Sequence, residues 1–326
     1  MKPKVIVYKR VPQQVLEYIQ EYCDVVYYER LTDDNRASFL IELQDANGLM
    51  GNELAVNEML LDQAPHLKVV SNIAVGYDNL DIAQLSKRGI LATNTPEILN
   101  DTTADTIFGL LLATARRFPE LDQYVKTGQW KGSVEQERFG VDVHHKVIGI
   151  IGMGGIGATI AKRAHLGFDM KVLYHNRTHN EAAERLYDAT YCGLEELLQQ
   201  SDFVVLMTPL TPQTAKLMGE KEFKLMKKSA FFINGSRGKT VDEEALVKAL
   251  QEEEIAGAGL DVFVQEPIQN HHPLLSMKNV VTLPHVGSAT HETRLNMSML
   301  AAENLVAALQ GKCPSSLINR EVYTKA

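Results

Sequence analysis

A chain of 326 residues with a formal charge of -8 exceeds the size at which one hydrophobic core usually stops growing, and it lacks the basic balance of a nucleic-acid binder. With 45% hydrophobic and 23% charged residues it has the makeup of a globular protein, which excludes a disordered or fibrous chain. Two domains are expected, and an anionic substrate must be met by local positive charge.

The N-terminus starts basic, but the apolar run at 5–8 is too brief for a signal peptide. No later stretch reaches the roughly 18 uninterrupted apolar residues of a membrane span, so the cytoplasm is the expected compartment and no membrane partner is expected. Apolar, β-branched runs predict strands over 4–8, 24–28, 47–51, 67–73 and 90–93. Helical segments are expected after Pro12, Thr32, Asn57 and Ile82. This alternation makes a complete small α/β domain with a parallel sheet. A helix over 100–117 follows, opened by Asn100 or Asp101 and striped by Ala104, Ile107, Phe108, Leu111, Leu112 and Ala115. Residues 118–145 fit no strong period and are read as an irregular excursion carrying the only tryptophan, Trp130. A second series predicts strands over 147–151, 170–174, 203–207, 230–234, 256–260 and 280–283, with helices in every gap but the last. A final helix from about Ser288 carries Leu295, Met299, Ala302, Leu305, Val306 and Leu309 on one face. The fold class is therefore α/β with two doubly wound parallel sheets. Cys23, Cys192 and Cys313 have neither disulfide-framework nor zinc spacing and are read as reduced thiols, and no metal site is expected.

At 152–157 the strand 147–151 runs into Gly152-Met153-Gly154-Gly155-Ile156-Gly157 and a helix-compatible stretch. This is the GxGxxG pattern in the context that gives it meaning. The first glycine permits a tight turn, the second lets backbone approach a pyrophosphate, and the third lets helix pack on strand. About 20 residues on, an acidic residue would hold the ribose of NAD. Here stand Asn176, Arg177 and Thr178, followed by His179, so no carboxylate repels a 2′-phosphate and NADPH is expected in preference to NADH. The alternative is that Arg177 is a solvated charge at a strand end.

Three further residues lie just after buried-looking runs: Arg237, Glu266 and His285. Loops beyond the carboxyl ends of parallel strands gather at one crevice, so these side chains can converge there. Reduction of a 2-oxo acid needs a cation on the carboxylate and carbonyl, and an acid for the oxygen. Arg237 suits the first task. His285, oriented and kept protonated by a buried Glu266, suits the second. Singly, each also reads as a surface charge, an element end or a structural histidine. The pairs His144-His145 and His271-His272 and the run 252–254 have no converging partner and are read as loop and solvated helix face.

GMGGIG at 152–157, INGSRGKTVDEEAL at 233–246, GAGLDVFVQEP at 257–267 and LPHVGSAT at 283–290 resemble the signature segments of the D-2-hydroxyacid dehydrogenases, over essentially the whole chain. With NIAVGYDNLD at 72–81, DTTADTIFGLLLATARR at 101–117 and DVHHKVIGIIGMG at 142–154, the wording is most similar to the glyoxylate/hydroxypyruvate reductases, especially the bacterial 2-ketogluconate reductase branch. The resemblance implies two Rossmann-like domains. The substrate domain comprises 1–99 and 291–326, and the NAD(P)-binding domain, 100–290, is inserted into it. It implies that Arg237 is the substrate-binding and catalytic arginine and that Glu266 and His285 form the acid/base pair. It implies that Val75 and Gly76 hold the substrate carboxylate by their N–H groups, with Gly51 and Asn52 nearby. It implies cofactor contacts from Asp261, on the nicotinamide carboxamide, and from Thr208, Pro209, Gly235 and Gly287, alongside Arg237 and His285.

Glu266, where the formate dehydrogenase branch has Gln, speaks against formate oxidation. Members of the branch often carry Trp in the excursion, where a neighbouring subunit reaches the active site. This chain has Arg138 there, which bears on substrate preference. The resemblance further implies a homodimer built partly from residues 118–145, and the chain's length leaves no room for the regulatory domain of many phosphoglycerate dehydrogenases. The expected function is NADPH-preferring reduction of glyoxylate, hydroxypyruvate or 2-ketogluconate to D-2-hydroxy acids. The rivals are an NADH-dependent D-lactate-type dehydrogenase, with NADH a usable cofactor, and a nucleotide-sensing corepressor of the same fold.

Overall fold

In the computed structural model, which describes residues 1–323, the strand and helix alternation resolves into two α/β units. One comprises Met1–Leu99 with Ala289–Ala326, and the other Asn100–Ser288. Residues 324–326, the end of the segment assigned above to the substrate domain, lie outside the described residues.

The first unit begins with β1 (Lys4–Val7), α1 (Gln13–Tyr22), β2 (Asp24–Tyr27), α2 (Asp33–Leu43), β3 (Gly48–Gly51), α3 (Glu58–Leu61), β4 (Val69–Asn72), α4 (Ile82–Lys87) and β5 (Leu91–Thr93). Its strands are parallel in the order β2-β1-β3-β4-β5. Every residue of β3 and β4 is buried, as a sheet covered on both faces requires, and the polar Ser71 and Asn72 of β4 are satisfied by donating to the Ala301 and Gly76 carbonyls. Ile6, Leu49 and Val70 of the sheet pack with Phe39, Leu43, Leu61 and Leu85 from its helices.

The second unit starts with α5 (Asn100–Ala115) and α6 (Phe118–Lys126). Then come β6 (Val147–Ile151), α7 (Gly155–Phe168), β7 (Lys171–His175), α8 (Glu181–Tyr187), β8 (Thr190–Tyr191), α9 (Leu194–Gln200) and β9 (Phe203–Leu206). It finishes with α10 (Glu220–Leu225), β10 (Phe231–Asn234), α11 (Glu243–Gln251), β11 (Gly257–Leu260) and β12 (Val280–Thr282). Its seven parallel strands are ordered β12-β11-β10-β9-β6-β7-β8, which puts the topological switch point between β6 and β9. One face carries Ile107, Leu111, Ile160 and Ala164 from α5 and α7. The other carries Leu197, Phe223, Leu246 and Leu250 from α9, α10 and α11. Helices on both faces make the sheet doubly wound, as the sequence pattern predicts.

The chain returns to the first unit with α12 (His291–Leu309) and α13 (Arg320–Tyr323). The α12 helix lies on β3 and β4: a Cβ on Gly48 would stand 2.8 Å from Leu305, and Ser71 donates to the Ala301 carbonyl at 2.7 Å. Asn319 accepts from the Ala92 N–H and donates to the Ile90 carbonyl, both at 2.8 Å, stitching the C-terminal segment along β5.

Three local expectations are corrected. The 118–145 segment is not wholly irregular: Pro119, an acidic Glu120 and a terminal Lys126 give α6 a good start and a favourable dipole, although it buries no residue and so shows no apolar stripe. The strand β8 has only two residues, below what a pattern can reveal. The final helix begins at His291, where the Thr290 side chain caps the Thr293 N–H at 3.2 Å. Of the predicted face, Ala302, Leu305 and Val306 are buried, whereas Leu295, Met299 and Leu309 are only partly so, and Thr293, Met297, Ser298, Ala301 and Asn304 complete the buried side. Cys23 and Cys192 are buried, Cys313 is exposed, and all three are unbridged. Among the described residues no helix is long and apolar enough to cross a membrane.

Candidate active site

In the second unit the loops after β6, β7, β9, β10, β11 and β12 share the carboxyl edge of one parallel sheet. Three of the four glycines of the first loop have a readable local setting. Gly152 turns at φ +105°, and a Cβ there would stand 2.7 Å from the Met207 carbonyl carbon, so β6 and β9 approach too closely for a side chain. A Cβ on Gly157 would overlap the Gly152 carbonyl oxygen, which seats α7 tightly against β6. Gly154, the N-cap of α7, faces open space instead. There the N–H groups of Gly155, Ile156 and Gly157 begin the helix without intrahelical acceptors. Across the switch point, Thr208 Oγ1 is buried with no partner among the described residues, and Pro209 follows it. A turn open at Gly154, free helix donors and an orphaned hydroxyl together fit a dinucleotide pyrophosphate.

The strand β7 ends in His175, whose Nδ1 meets the Cys192 carbonyl at 3.1 Å. Asn176 Nδ2 donates to the Thr178 carbonyl at 3.1 Å, closing a small turn that exposes Arg177 and Thr178. Arg177 has no ion pair among the described residues.

The trio lies further along the same edge. Buried Asn234 shapes the turn after β10: its Oδ1 accepts from the Ser236 N–H and hydroxyl at 3.0 and 2.9 Å, and its Nδ2 donates to the Arg237 carbonyl at 3.1 Å. A Cβ on Gly235 would strike Ile107, so β10 enters this turn pressed against α5. Glu266 Oε2 lies 2.7 Å from His285 Nδ1, while Oε1 accepts the Phe263 N–H at 3.0 Å. Burial raises the Glu266 carboxyl, but the His285 hydrogen bond, the Phe263 N–H and the charges of His285 and Arg237 outweigh it and hold the group below the usual carboxylate range. Engagement of Nδ1 leaves His285 Nε2 without a protein partner among the described residues.

The expectation that Glu266 is buried is corrected, because its side chain is 37% exposed and that of His285 46%. Both stand on loops at the sheet's edge, beyond the packed layers. The buried carboxylate here is Asp261, 2% exposed, whose two oxygens accept the N–H groups of Val286 at 2.8 Å and Gly287 at 2.9 Å. Burial raises its carboxyl above the usual range despite those amides. The clamp holds the turn in which His285 takes a left-handed φ of +53°, and Thr106 from α5 adds a 3.2 Å bond to the Gly287 carbonyl.

In the first unit, Asn52 and Gly51 lie at the end of β3, and Val75 and Gly76 in the loop after β4. Asn94 donates to the Val75 carbonyl at 2.8 Å, and Asn72 to the Gly76 carbonyl at 2.9 Å. With both carbonyls tied down, the two N–H groups have no acceptor among the described residues, an arrangement suited to an anion. Sequence reasoning did not single out Asn94, nor Asn72 and Asn234 beyond the motifs that contain them. Isolated polar residues beside apolar runs carry no periodic signal, and only their fixed offsets from a loop could have marked them. Arg138 folds back over Tyr124, 4.1 Å from its ring centroid, and lies 3.4 Å from Glu120, on its own chain's α6.

Comparison with known proteins identifies the family. The family described as "D-isomer specific 2-hydroxyacid dehydrogenase, NAD binding domain" matches residues 108–287. The chain is 48% identical over 322 residues to glyoxylate/hydroxypyruvate reductase B of Escherichia coli K12, covering 99% of both chains. It is 47% identical over 319 residues to the protein of that name from Erwinia tasmaniensis, covering 98% of this chain and 99% of the other. Among solved structures, an NADPH-dependent glyoxylate/hydroxypyruvate reductase from Sinorhizobium meliloti, in complex with NADP and malonate, superposes with a TM-score of 0.86 at 34% identity, covering 98% of this chain and 97% of that one. A Thermus thermophilus protein gives 0.89 at 38% identity, covering 97% and 99%. The chain belongs to the D-isomer specific 2-hydroxyacid dehydrogenase family and is an NAD(P)-dependent oxidoreductase.

Proposed function

We propose that this protein reduces small 2-oxo acids, glyoxylate and hydroxypyruvate first among them, to D-2-hydroxy acids and prefers NADPH to NADH. The observation that carries the chemistry is the 2.7 Å Glu266–His285 pair on the carboxyl edge that also bears the glycine loop and Arg237. When bound, the reduced nicotinamide supplies a hydride to C2 of the substrate. Arg237 holds the substrate carboxylate and draws electron density from the 2-oxo group. His285 gives a proton from Nε2 to the carbonyl oxygen, and Glu266 steadies the imidazolium through Nδ1. The Val75 and Gly76 amides, with Asn52 beside them in the first unit, offer further donors for a carboxylate.

Gly152, Gly154, Gly155, Ile156 and Gly157 are assigned to the pyrophosphate. Thr208, Pro209, Gly235, Asp261 and Gly287 are assigned to the remainder of the dinucleotide. The preference for NADPH rests on the Asn176-Arg177-Thr178 turn, which exposes a cation and holds no carboxylate. The NADP complex of the Sinorhizobium relative supports it. Steady-state rates with glyoxylate, hydroxypyruvate, 2-ketogluconate and pyruvate test the substrate class. Turnover of at least one of the first two above pyruvate is expected, and turnover of pyruvate alone would refute it.

A homodimer through residues 118–145 is part of the same proposal. Phe118, Val125, Trp130 and Phe139 are each more than half exposed along that segment, apolar surface suited to a second copy. Sedimentation equilibrium should give twice the chain mass, and Trp130→Glu with Phe139→Glu should halve it. A wild-type monomer would overturn the assignment.

A further inference from the structure

The segment 176–180, joining β7 to α8, is tied down more heavily than a surface connection requires. Glu184 on α8 lies at its centre, with Oε1 accepting the Tyr174 hydroxyl at 2.6 Å and lying 2.8 Å from His179 Nδ1. Tyr174 is wholly buried at the end of β7, and its hydroxyl oxygen accepts the Asn180 N–H at 2.8 Å. Asn180 caps α8 by accepting the Ala183 N–H at 3.0 Å, and donates to the Met153 carbonyl of the glycine loop, also at 3.0 Å. The His179 ring stacks on Tyr191 of β8 at 4.1 Å. Burial and the Glu184 bond push the Tyr174 hydroxyl up to about 12, while the Tyr174 and His179 bonds hold Glu184 below the usual carboxylate range. A carboxylate so committed stays ionised and directs its charge at donors in and beside the segment, which shapes its backbone.

None of this is needed to contact a ribose hydroxyl. A phosphate, in contrast, is recognised by a guanidinium in a fixed direction, which demands a rigid backbone beneath it. We infer that Glu184 is a positioning residue for NADPH selectivity: through Tyr174 and His179 it fixes the 176–180 segment in the shape that presents Arg177 to a 2′-phosphate. The inference rests on the NADPH preference proposed above and names the support behind it.

The test is calorimetric binding of adenosine 2′,5′-bisphosphate and adenosine 5′-monophosphate to the full-length protein, wild type and the variants Glu184→Ala and Glu184→Gln. These ligands differ only in the 2′-phosphate and need no turnover. The wild type should favour the bisphosphate. Glu184→Ala should lose about 10-fold of that affinity, the size of one charge-assisted hydrogen bond, with the monophosphate unchanged. Glu184→Gln should recover most of it, because its amide oxygen still accepts from Tyr174 and His179. The KM for NADPH should follow the bisphosphate while the KM for NADH and kcat stay level. Equal weakening of both ligands, or unaltered selectivity in Glu184→Ala, overturns the inference alone. A wild type that binds both ligands equally overturns the NADPH preference and the inference with it.

Discussion

Replacing Asp261 with Asn removes the clamp on the His285 turn while keeping its volume. The carboxylate accepts two backbone amides at 2.8 and 2.9 Å from a site 2% exposed, and His285 beside them holds φ at +53°. That backbone region costs a non-glycine residue roughly 1 to 2 kcal/mol, so the turn relaxes unless something opposes it. Asn offers one acceptor and turns an NH2 group toward the other amide. Hydrogen bonds to a charged group contribute about 1.5 to 3 kcal/mol each. Because burial already disfavours the Asp261 carboxylate, the net loss should be nearer one bond than two, about 2 kcal/mol by urea unfolding. A turn that slips by an ångström takes His285 out of line with the substrate oxygen, which lowers kcat by roughly 100-fold. Cofactor affinity separates the possible outcomes. If the clamp is the larger role of Asp261 beside its nicotinamide contact, kcat falls by far more than the KM for NADPH rises. If stability falls and kcat does not, the clamp is no part of catalysis, and a rise in the KM for NADPH alone would leave the nicotinamide contact as the one role of Asp261.

Replacement of His285 by Ala should lower kcat by roughly 100 to 10,000-fold with dinucleotide binding little changed, measured by steady-state kinetics and by quenching of protein fluorescence. Near-normal turnover would remove His285 from the proton transfer. Gly157→Ala forces a Cβ against the Gly152 carbonyl oxygen, so α7 must shift from β6. Dinucleotide affinity should fall sharply, with about 1 to 3 kcal/mol of stability lost in denaturant titration. Tyr174 has its hydroxyl raised from 10.0 to about 12, so its contribution to stability is complete below pH 10 and is lost as pH rises toward 12. Unfolding free energies of the wild type and Tyr174→Phe should therefore converge by about 1.4 kcal/mol between pH 8 and pH 11, and parallel curves would refute the shift.

The parallel sheets were legible because their strands are buried on both faces and announce themselves as continuous apolar runs, Val147–Ile151 and Phe203–Leu206 most clearly. Glycines were legible where backbone meets backbone, as at Gly152 and Gly157. The α6 helix was hidden because it buries nothing, and β8 because two residues make no period. Arg237, Glu266 and His285 could be chosen from chemistry and from their places after strands, but their support could not. Asp261 grips a turn 25 residues on, and Glu184 reaches back 10 residues to Tyr174, distances set by the fold alone. The sequence also misjudged which carboxylate is buried: a Glu before Pro267 in a loop stays wet, whereas Asp261, at the end of β11, does not.

The most direct test of hydride reduction at C2 is to supply hydroxypyruvate with NADPH deuterated at the transferring position of its nicotinamide, and to analyse the glycerate formed by NMR and chiral chromatography. The proposed chemistry predicts D-glycerate carrying deuterium at C2, formed faster than with the matching NADH. L-glycerate, a product without deuterium at C2, or no consumption of NADPH would contradict it.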